Sequence, residues 1–370
     1  MKKGISMFEE DQRVVLTLDA GGTNFVFGAM QGNREIIVPL TLPADTVDLE
    51  NCLSVIVAGF TRVMAGLETQ PAAISFAFPG PADYERGIIG DLPNFPSFRG
   101  GVALGPFLEA QFRMPVFINN DGNLFAYGEA LAGLLPALNA ELRHAGSTRQ
   151  YKNLVALTLG TGFGSGVVIN GTLLTGDNGC GGEIWCAAGR KDRRVIAEAG
   201  VGVAAVQRSY AERSGATDHF SPKDIYEIAK GSRAGNRDAA LDTFHELGRA
   251  AGFTIAEMLN TIDGLVVIGG GLAHAHEFIL PALMAEMNSA RSSFNGVPVP
   301  RLPMQVHNLE DAGDRAAFLK DDVKMVAVPG TGKQALYQCT KKSGVALTKT
   351  GTSRAIALGA YAFALKQLEP

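Results

Sequence analysis

The chain predicts an α/β fold built from two similar domains that face a cleft. Two observations carry that prediction. The segment Leu16-Thr17-Leu18-Asp19-Ala20-Gly21-Gly22-Thr23 is echoed at Leu157-Thr158-Leu159-Gly160-Thr161-Gly162-Phe163-Gly164. In both, an apolar strand enters a Gly/Thr-rich turn and a second apolar run follows. Each echo also opens a three-strand meander that leads into alternating helix and strand patterns. The length of 370 residues, 46% hydrophobic and 19% charged, is enough for two cores.

Residues 14–19 predict a strand and 23–30 a second. Gln31-Gly32-Asn33 turns into a third at 35–41. Leu49, Leu53, Ile56, Phe60, Val63 and Leu67 recur at helical spacing and predict a helix over 48–67. A strand at 72–78 ends in Pro79-Gly80-Pro81. A short helix at 103–112, a strand at 115–119 and a helix at 123–134 complete the first unit. The pattern restarts with strands at 154–159, 164–169 and 172–174, the last two joined by an Asn170-Gly171 hairpin turn. A helix over 237–259, a strand over 265–268, a helix at about 276–288 and an Ala-rich tail helix over 354–367 follow. Residues 136–152 and about 308–350 match no element and read as insertions or long surface loops.

Composition excludes several classes. The net charge of −4 makes no electrostatic case for a nucleic-acid partner. No run reaches roughly 18 uncharged apolar residues, so no membrane span is expected. Met1-Lys2-Lys3-Gly4 has no apolar stretch behind it, and Glu9-Glu10-Asp11 is acidic, which argues against a signal peptide. Cys52, Cys180, Cys186 and Cys339 are scattered and form no disulfide or zinc spacing. The expected setting is cytoplasmic.

The two glycine turns are the leading candidates for chemistry. They lack bulky side chains, so their backbone N–H groups can approach a phosphate closely. Two of them can grip one polyphosphate from two sides, which points to ATP-dependent phosphoryl transfer. Asp19 ends a strand expected to be buried, where a carboxylate needs a partner such as Mg2+. An ordinary turn accepting N–H bonds is the bland alternative. Glycines at 160, 162, 164 and 166 exceed what a bare hairpin needs. Gly269-Gly270-Gly271 lies between a strand and a helix, which suits adenosine or phosphate or simply a tight connection. Asp121, after a strand, can accept a proton from an attacking hydroxyl or can cap the next helix. Glu183 can bind a polyol or stand as a solvated loop acid. Gly330-Thr331-Gly332-Lys333 fails as a P-loop, because Ala327 stands where the first glycine belongs and Gln334 follows the lysine.

With Pro79-Gly80-Pro81, Asn120-Asp121-Gly122-Asn123, Gly128-Glu129 and Gly182-Glu183 added, the ordered set resembles the ROK family of sugar kinases, in the actin/hexokinase-like ATPase superfamily. The resemblance spans about residues 12–290 and the tail helix. It implies two duplicated ribonuclease-H-like domains, over 12–122 plus 354–370 and over 123–353, the second carrying the 308–350 insertion. It implies ATP with Mg2+ and transfer of the γ-phosphoryl group to a hydroxyl of a hexose or N-acetylhexosamine. Asp121 would then be the catalytic base, and Asn120, Glu183, Glu198 and Asn94 would contact the sugar. Asp19 would organise Mg2+, directly or through water. Gly21, Gly22, Thr23, Thr161 and Gly162 would hold phosphates, with Gly270 near the adenosine.

The chain departs from the family run Gly-Glu-Ile-Gly-His: Cys186 stands where histidine is expected. Lys191-Asp192-Arg193-Arg194 occupies the place of the family's Cys-rich loop, so no structural zinc is expected. Trp185 is expected in the core rather than on a pyranose face. A homodimer is common in the family and is carried as an expectation. The alternatives are a catalytically weak sugar-binding regulator and a kinase of a non-hexose acceptor. Only about a dozen residues precede the first strand, too few for the DNA-binding segment of the family's repressors.

Overall fold

Twenty residues of meander set the frame of the first sheet. The computed structural model describes residues 8–20, 23–91 and 96–369. Strands β1 (Val15–Ala20) and β2 (Asn24–Gln31) pair antiparallel, Leu18 opposite Phe27. The expected third strand is two pieces, β3 (Arg34–Glu35) and β4 (Leu40–Pro43), both bonded to β2. Between them the chain leaves the ladder, and Val38 is exposed. Helix α1 (Leu49–Ala65) starts at Asp48, whose side chain accepts the Asn51 N–H at 2.9 Å. Strand β5 (Ala73–Ala77), the β6–β7 hairpin (Ala82–Asp83, Ile88–Ile89), helix α2 (Leu104–Phe112) and strand β8 (Val116–Asn119) follow. The sheet order is β3-β2-β1-β5-β8, with β1, β5 and β8 parallel. Phe27 meets Phe60 edge-on at 5.2 Å, and Phe76, Phe78 and Phe98 continue this aromatic core under α1.

Helix α3 (Asp121–Leu131) begins two residues earlier than the periodicity suggests and ends before Gly133. Residues 136–144, expected as loop, belong to α4 (Leu134–His144). Leu135, Leu138 and Leu142 are its buried face; the i, i+3, i+7 spacing was present but embedded in a polar stretch.

Strands β9 (Leu154–Leu159), β10 (Phe163–Ile169) and β11 (Thr172–Leu173) form the second meander. Asn170 and Gly171 both adopt positive φ, as a two-residue hairpin turn requires. Helices α5 (Val203–Ser214), α6 (Pro222–Lys230) and α7 (Arg237–Ile262) precede β12 (Leu265–Gly269), α8 (His276–Met287) and an exposed β13–β14 hairpin (Ala290–Ser292, Pro298–Pro300).

The second expected loop, 308–350, is largely ordered secondary structure. After β15 (Gln305–Asn308) come α9 (Ala312–Leu319), the exposed β16–β17 hairpin (Val323–Ala327, Gln334–Gln338) and β18 (Lys342–Leu347). The second sheet runs β11-β10-β9-β12-β18-β15, so β18 is an interior strand. Its apolar run, Val345-Ala346-Leu347, is too short to stand out from the polar residues around it. The Gly330-Thr331-Gly332-Lys333 run is the turn of the β16–β17 hairpin.

Helix α10 (Thr352–Gln367) closes the chain. It packs on α3 through small residues: a Cβ on Gly128 would strike the Ala355 carbonyl, and one on Gly359 the Leu124 carbonyl. Tyr361 Oη accepts the Gly32 N–H at 2.8 Å, tying α10 to the β2–β3 turn. Two compact units result. One comprises residues 1–136, 166–182 and 349–370; the other comprises 137–165 and 183–348. Among the described residues no helix is long and apolar enough to cross a membrane.

Candidate active site

Strand register collects the acidic candidates of the first unit. Asp19 pairs in register with Ala77, and Ala77 with Asn119. Asp19 and the Asn120-Asp121 pair therefore leave the sheet at the same C-terminal edge, where open α/β sheets bind ligands. Asp19 itself is exposed, not buried as the sequence implied, because it lies past the covered part of β1. Its carboxylate makes no hydrogen bond or ion pair among the described residues. Thr23 is also exposed. Gly21, Gly22 and Asn94 lie outside the described residues.

Asn120, not Asp121, caps α3. Its Oδ1 accepts the Gly122 N–H at 2.8 Å, leaving its side-chain NH2 as a donor to a ligand. Asp121 is thus released from capping and is the first residue of the helix. Asn119, which sequence reasoning passed over, sets the turn: its buried Oδ1 accepts from the Asn120 N–H at 2.8 Å and Asn123 Nδ2 at 3.0 Å. Two asparagines four residues apart across a strand–helix junction are the signal that was there to be read.

Asp121 is reached by solvent, yet protein surrounds its carboxyl closely. That desolvation pushes its pKa up; backbone N–H groups of Gly122 and Asp121 pull it down, and the charge of Asp19 adds to the rise. The carboxylate is therefore a better proton acceptor than an ordinary aspartate.

In the second unit, the turns after β9 and β12 meet at one edge. Thr158 pairs with Gly269 in the parallel register. Gly270 has φ +91° and sits on the Leu159 backbone, where any Cβ would strike the Leu159 carbonyl, so only glycine fits. The Thr161–Gly162 turn closes through the Gly160 N–H to Gly162 O at 3.1 Å, and Thr161 is exposed. The excess of glycines here has a packing cause. Gly164 faces the Thr158 side chain, and Gly166 lies on the Gly122 carbonyl and Ala126.

Glu198 joins this turn, although the two are far apart in sequence. Its Oε2 accepts the Phe163 N–H at 2.9 Å and lies against Gly162. The loop that carries it is tied to α7 by Arg190 and Lys191, which pair with Glu246 at 3.0 and 3.1 Å. No local pattern announces that long-range tie. Glu183 is exposed at the start of a short 3₁₀ turn. Trp185 lies outside the core, contrary to expectation, and 41% of it is exposed.

The fit of the residues to Mg2+ follows from these donors. No group of three or more His, Cys, Asp or Glu side chains converges among the described residues. Asp19, an exposed carboxylate at the end of β1, suits an ion that takes one or two carboxylates plus phosphate oxygens and water.

The fold of this chain matches that of a solved glucokinase structure. The structure of glucokinase from Parabacteroides distasonis is 55% identical, covers 98% of this chain and 100% of its own, and superposes with a TM-score of 0.89. The profile of the ROK family matches residues 15–319, and the chain belongs to that family. A glucokinase of Thermotoga maritima is 28% identical over 73% of this chain and 85% of its own length. An N-acetyl-D-glucosamine kinase of Aliivibrio salmonicida is 29% identical over 69% and 83%.

Proposed function

We propose that this chain is an ATP-dependent hexose kinase whose first acceptor is glucose, with N-acetylglucosamine the second candidate. The observation that carries the reading is the shared strand edge of Asp19 and Asp121, with the Asp121 carboxyl pushed toward proton acceptance. The choice of acceptor is supported by the names of the relatives.

Asp121 takes the proton of the sugar hydroxyl as that oxygen attacks the γ-phosphorus. The Asn120 amide donates to the sugar and fixes its approach. Glu198 and Glu183 accept sugar hydroxyls. N–H groups of the Thr161–Gly162 turn and of the β1–β2 turn hold phosphate oxygens, and the Gly270 turn receives the adenosine. Asp19 would hold Mg2+, directly or through water, and the bound ion would offset the phosphate charge. The duplicated ribonuclease-H-like domains that the family resemblance implies, over 12–122 plus 354–370 and over 123–353, remain part of this reading; the compact units divide the chain differently, with 123–136 and 166–182 in the first.

ADP release with MgATP over glucose, mannose, fructose, N-acetylglucosamine and N-acetylmannosamine tests this. Sugar-dependent turnover with a clear preference is expected. Nucleotide binding with no turnover on any sugar would move the chain to the regulator reading.

A further inference from the structure

An exposed tryptophan beside a candidate sugar ligand needs a physical account. Trp185 sits in the 3₁₀ turn Ile184–Cys186, immediately after Glu183 and the buried Ile184. Its Nε1–H donates to Glu183 Oε2 at 2.5 Å. The turn under it is well fixed. The Ile184 N–H donates to Ser165 Oγ at 3.2 Å, the Ala187 N–H to Ile184 O at 3.1 Å, and the Cys186 thiol to Glu183 O at 3.2 Å. The indole and the carboxylate are thus held side by side at the surface of one unit.

An indole usually buries its apolar faces and gives its N–H a partner. Here the N–H has its partner while 41% of the residue remains exposed. A pyranose supplies the complement, with hydroxyls on its rim and C–H groups on its faces. We propose that Trp185 is the positioning and specificity residue of the acceptor site. Its N–H orients Glu183 so that the other carboxylate oxygen accepts from a sugar hydroxyl. Its ring face covers the C–H face of the pyranose. A flat face of this size selects a six-membered ring with equatorial substituents over the furanose form of a ketose. The inference rests on the hexose-kinase reading and names how its acceptor is held.

Trp185 is the one tryptophan of the chain, so its emission reports this site alone. The experiment titrates glucose into the full-length protein without nucleotide, following tryptophan emission. Steady-state kinetics of Trp185→Phe and Trp185→Ala accompany it, each with a thermal melt. A saturable emission change is expected. Trp185→Phe, which keeps a ring but loses the N–H, is expected to raise KM for glucose about fivefold, the loss of one hydrogen bond. Trp185→Ala should raise it by about tenfold or more. In both, KM should rise more than kcat falls.

Unchanged emission at saturating glucose in an enzyme that turns over would overturn the inference. So would wild-type KM in both variants, or a fall in kcat that simply tracks a fall in melting temperature. Those three results leave the kinase reading standing. Absence of turnover by the wild type on every pyranose removes the kinase reading, and this inference with it.

Discussion

The Phe163 N–H donates to Glu198 Oε2 at 2.9 Å, so a turn between two strands and a glutamate on a later loop hold each other in place. The two candidate sites of the second unit, one for phosphate and one for sugar, therefore share a side chain. A ligand that moves the turn also moves Glu198.

Gly162→Ala should break that link. The new Cβ would clash with Glu198 Oε2, so the carboxylate must swing off the Phe163 N–H. The lost charge-assisted bond is worth about 1.5 kcal/mol, so the protein still folds. We expect kcat/KM for the sugar to fall about tenfold or more, measured by coupled ADP release alongside a melt. Wild-type kcat/KM would remove both residues from the site.

Asp121→Asn should lower kcat by roughly 10²–10⁴ while sugar binding, followed calorimetrically, survives. In the wild type the acid limb of the rate profile should lie above the ordinary aspartate value of about 4, since burial raises this pKa. The stability effect has the opposite sign to the activity effect. A group whose folded pKa is raised contributes stability below its unfolded pKa and loses it as pH rises through the folded value. The asparagine variant should therefore melt higher than wild type at pH 7, and the difference should close below about pH 4. A variant less stable at pH 7 would contradict this account.

Gly359→Ala tests the helix pair that brings the C-terminus back to the first sheet. The methyl group would meet the Leu124 carbonyl of α3, a backbone atom that cannot yield without moving the helix. A loss of about 3 kcal/mol or more is expected in chemical denaturation. An alanine tolerated at this position would mean that α10 packs elsewhere.

Asp321→Asn tests the tie between residues 147–149 and the start of the β16–β17 hairpin. Asp321 accepts from Ser147 Oγ at 2.5 Å, Thr148 N at 3.0 Å and Arg149 Nε at 3.0 Å. Burial alone would raise its pKa, but these donors outweigh it and hold the carboxyl well below the usual range. Because the folded pKa is depressed, this stability is present above about pH 4 and is lost as pH falls toward the folded value. The variant should lose about 2 kcal/mol at pH 7, or about 4–8 °C in melting temperature. The gap to wild type should narrow in acid.

The elements legible in the sequence were those whose burial repeats along the chain. Strands β1, β5, β9 and β12 are predominantly apolar runs, and α1 and α7 show their buried faces at helical spacing. What stayed hidden had mixed surroundings. Helix α4 buries three leucines within a polar stretch, and β18 has only a short apolar run after a polar start. Indole and carboxylate groups can lie in or out of a core according to neighbours far away in sequence, which is why Trp185 and Asp19 both differ from expectation.

The sequence by itself determined that two Gly/Thr turns follow apolar strands and that Asn120-Asp121 ends another. Turn formation and strand propensity are local properties of a few residues. Only the tertiary structure decided that Asp19 and Asn119 share one strand edge, that Asn120 takes the cap and frees Asp121, and that Glu198 closes on the Gly162 turn. Each of these depends on strand register or on a hydrogen bond between distant residues. Register is set by which faces the whole sheet buries, and no short segment carries that information.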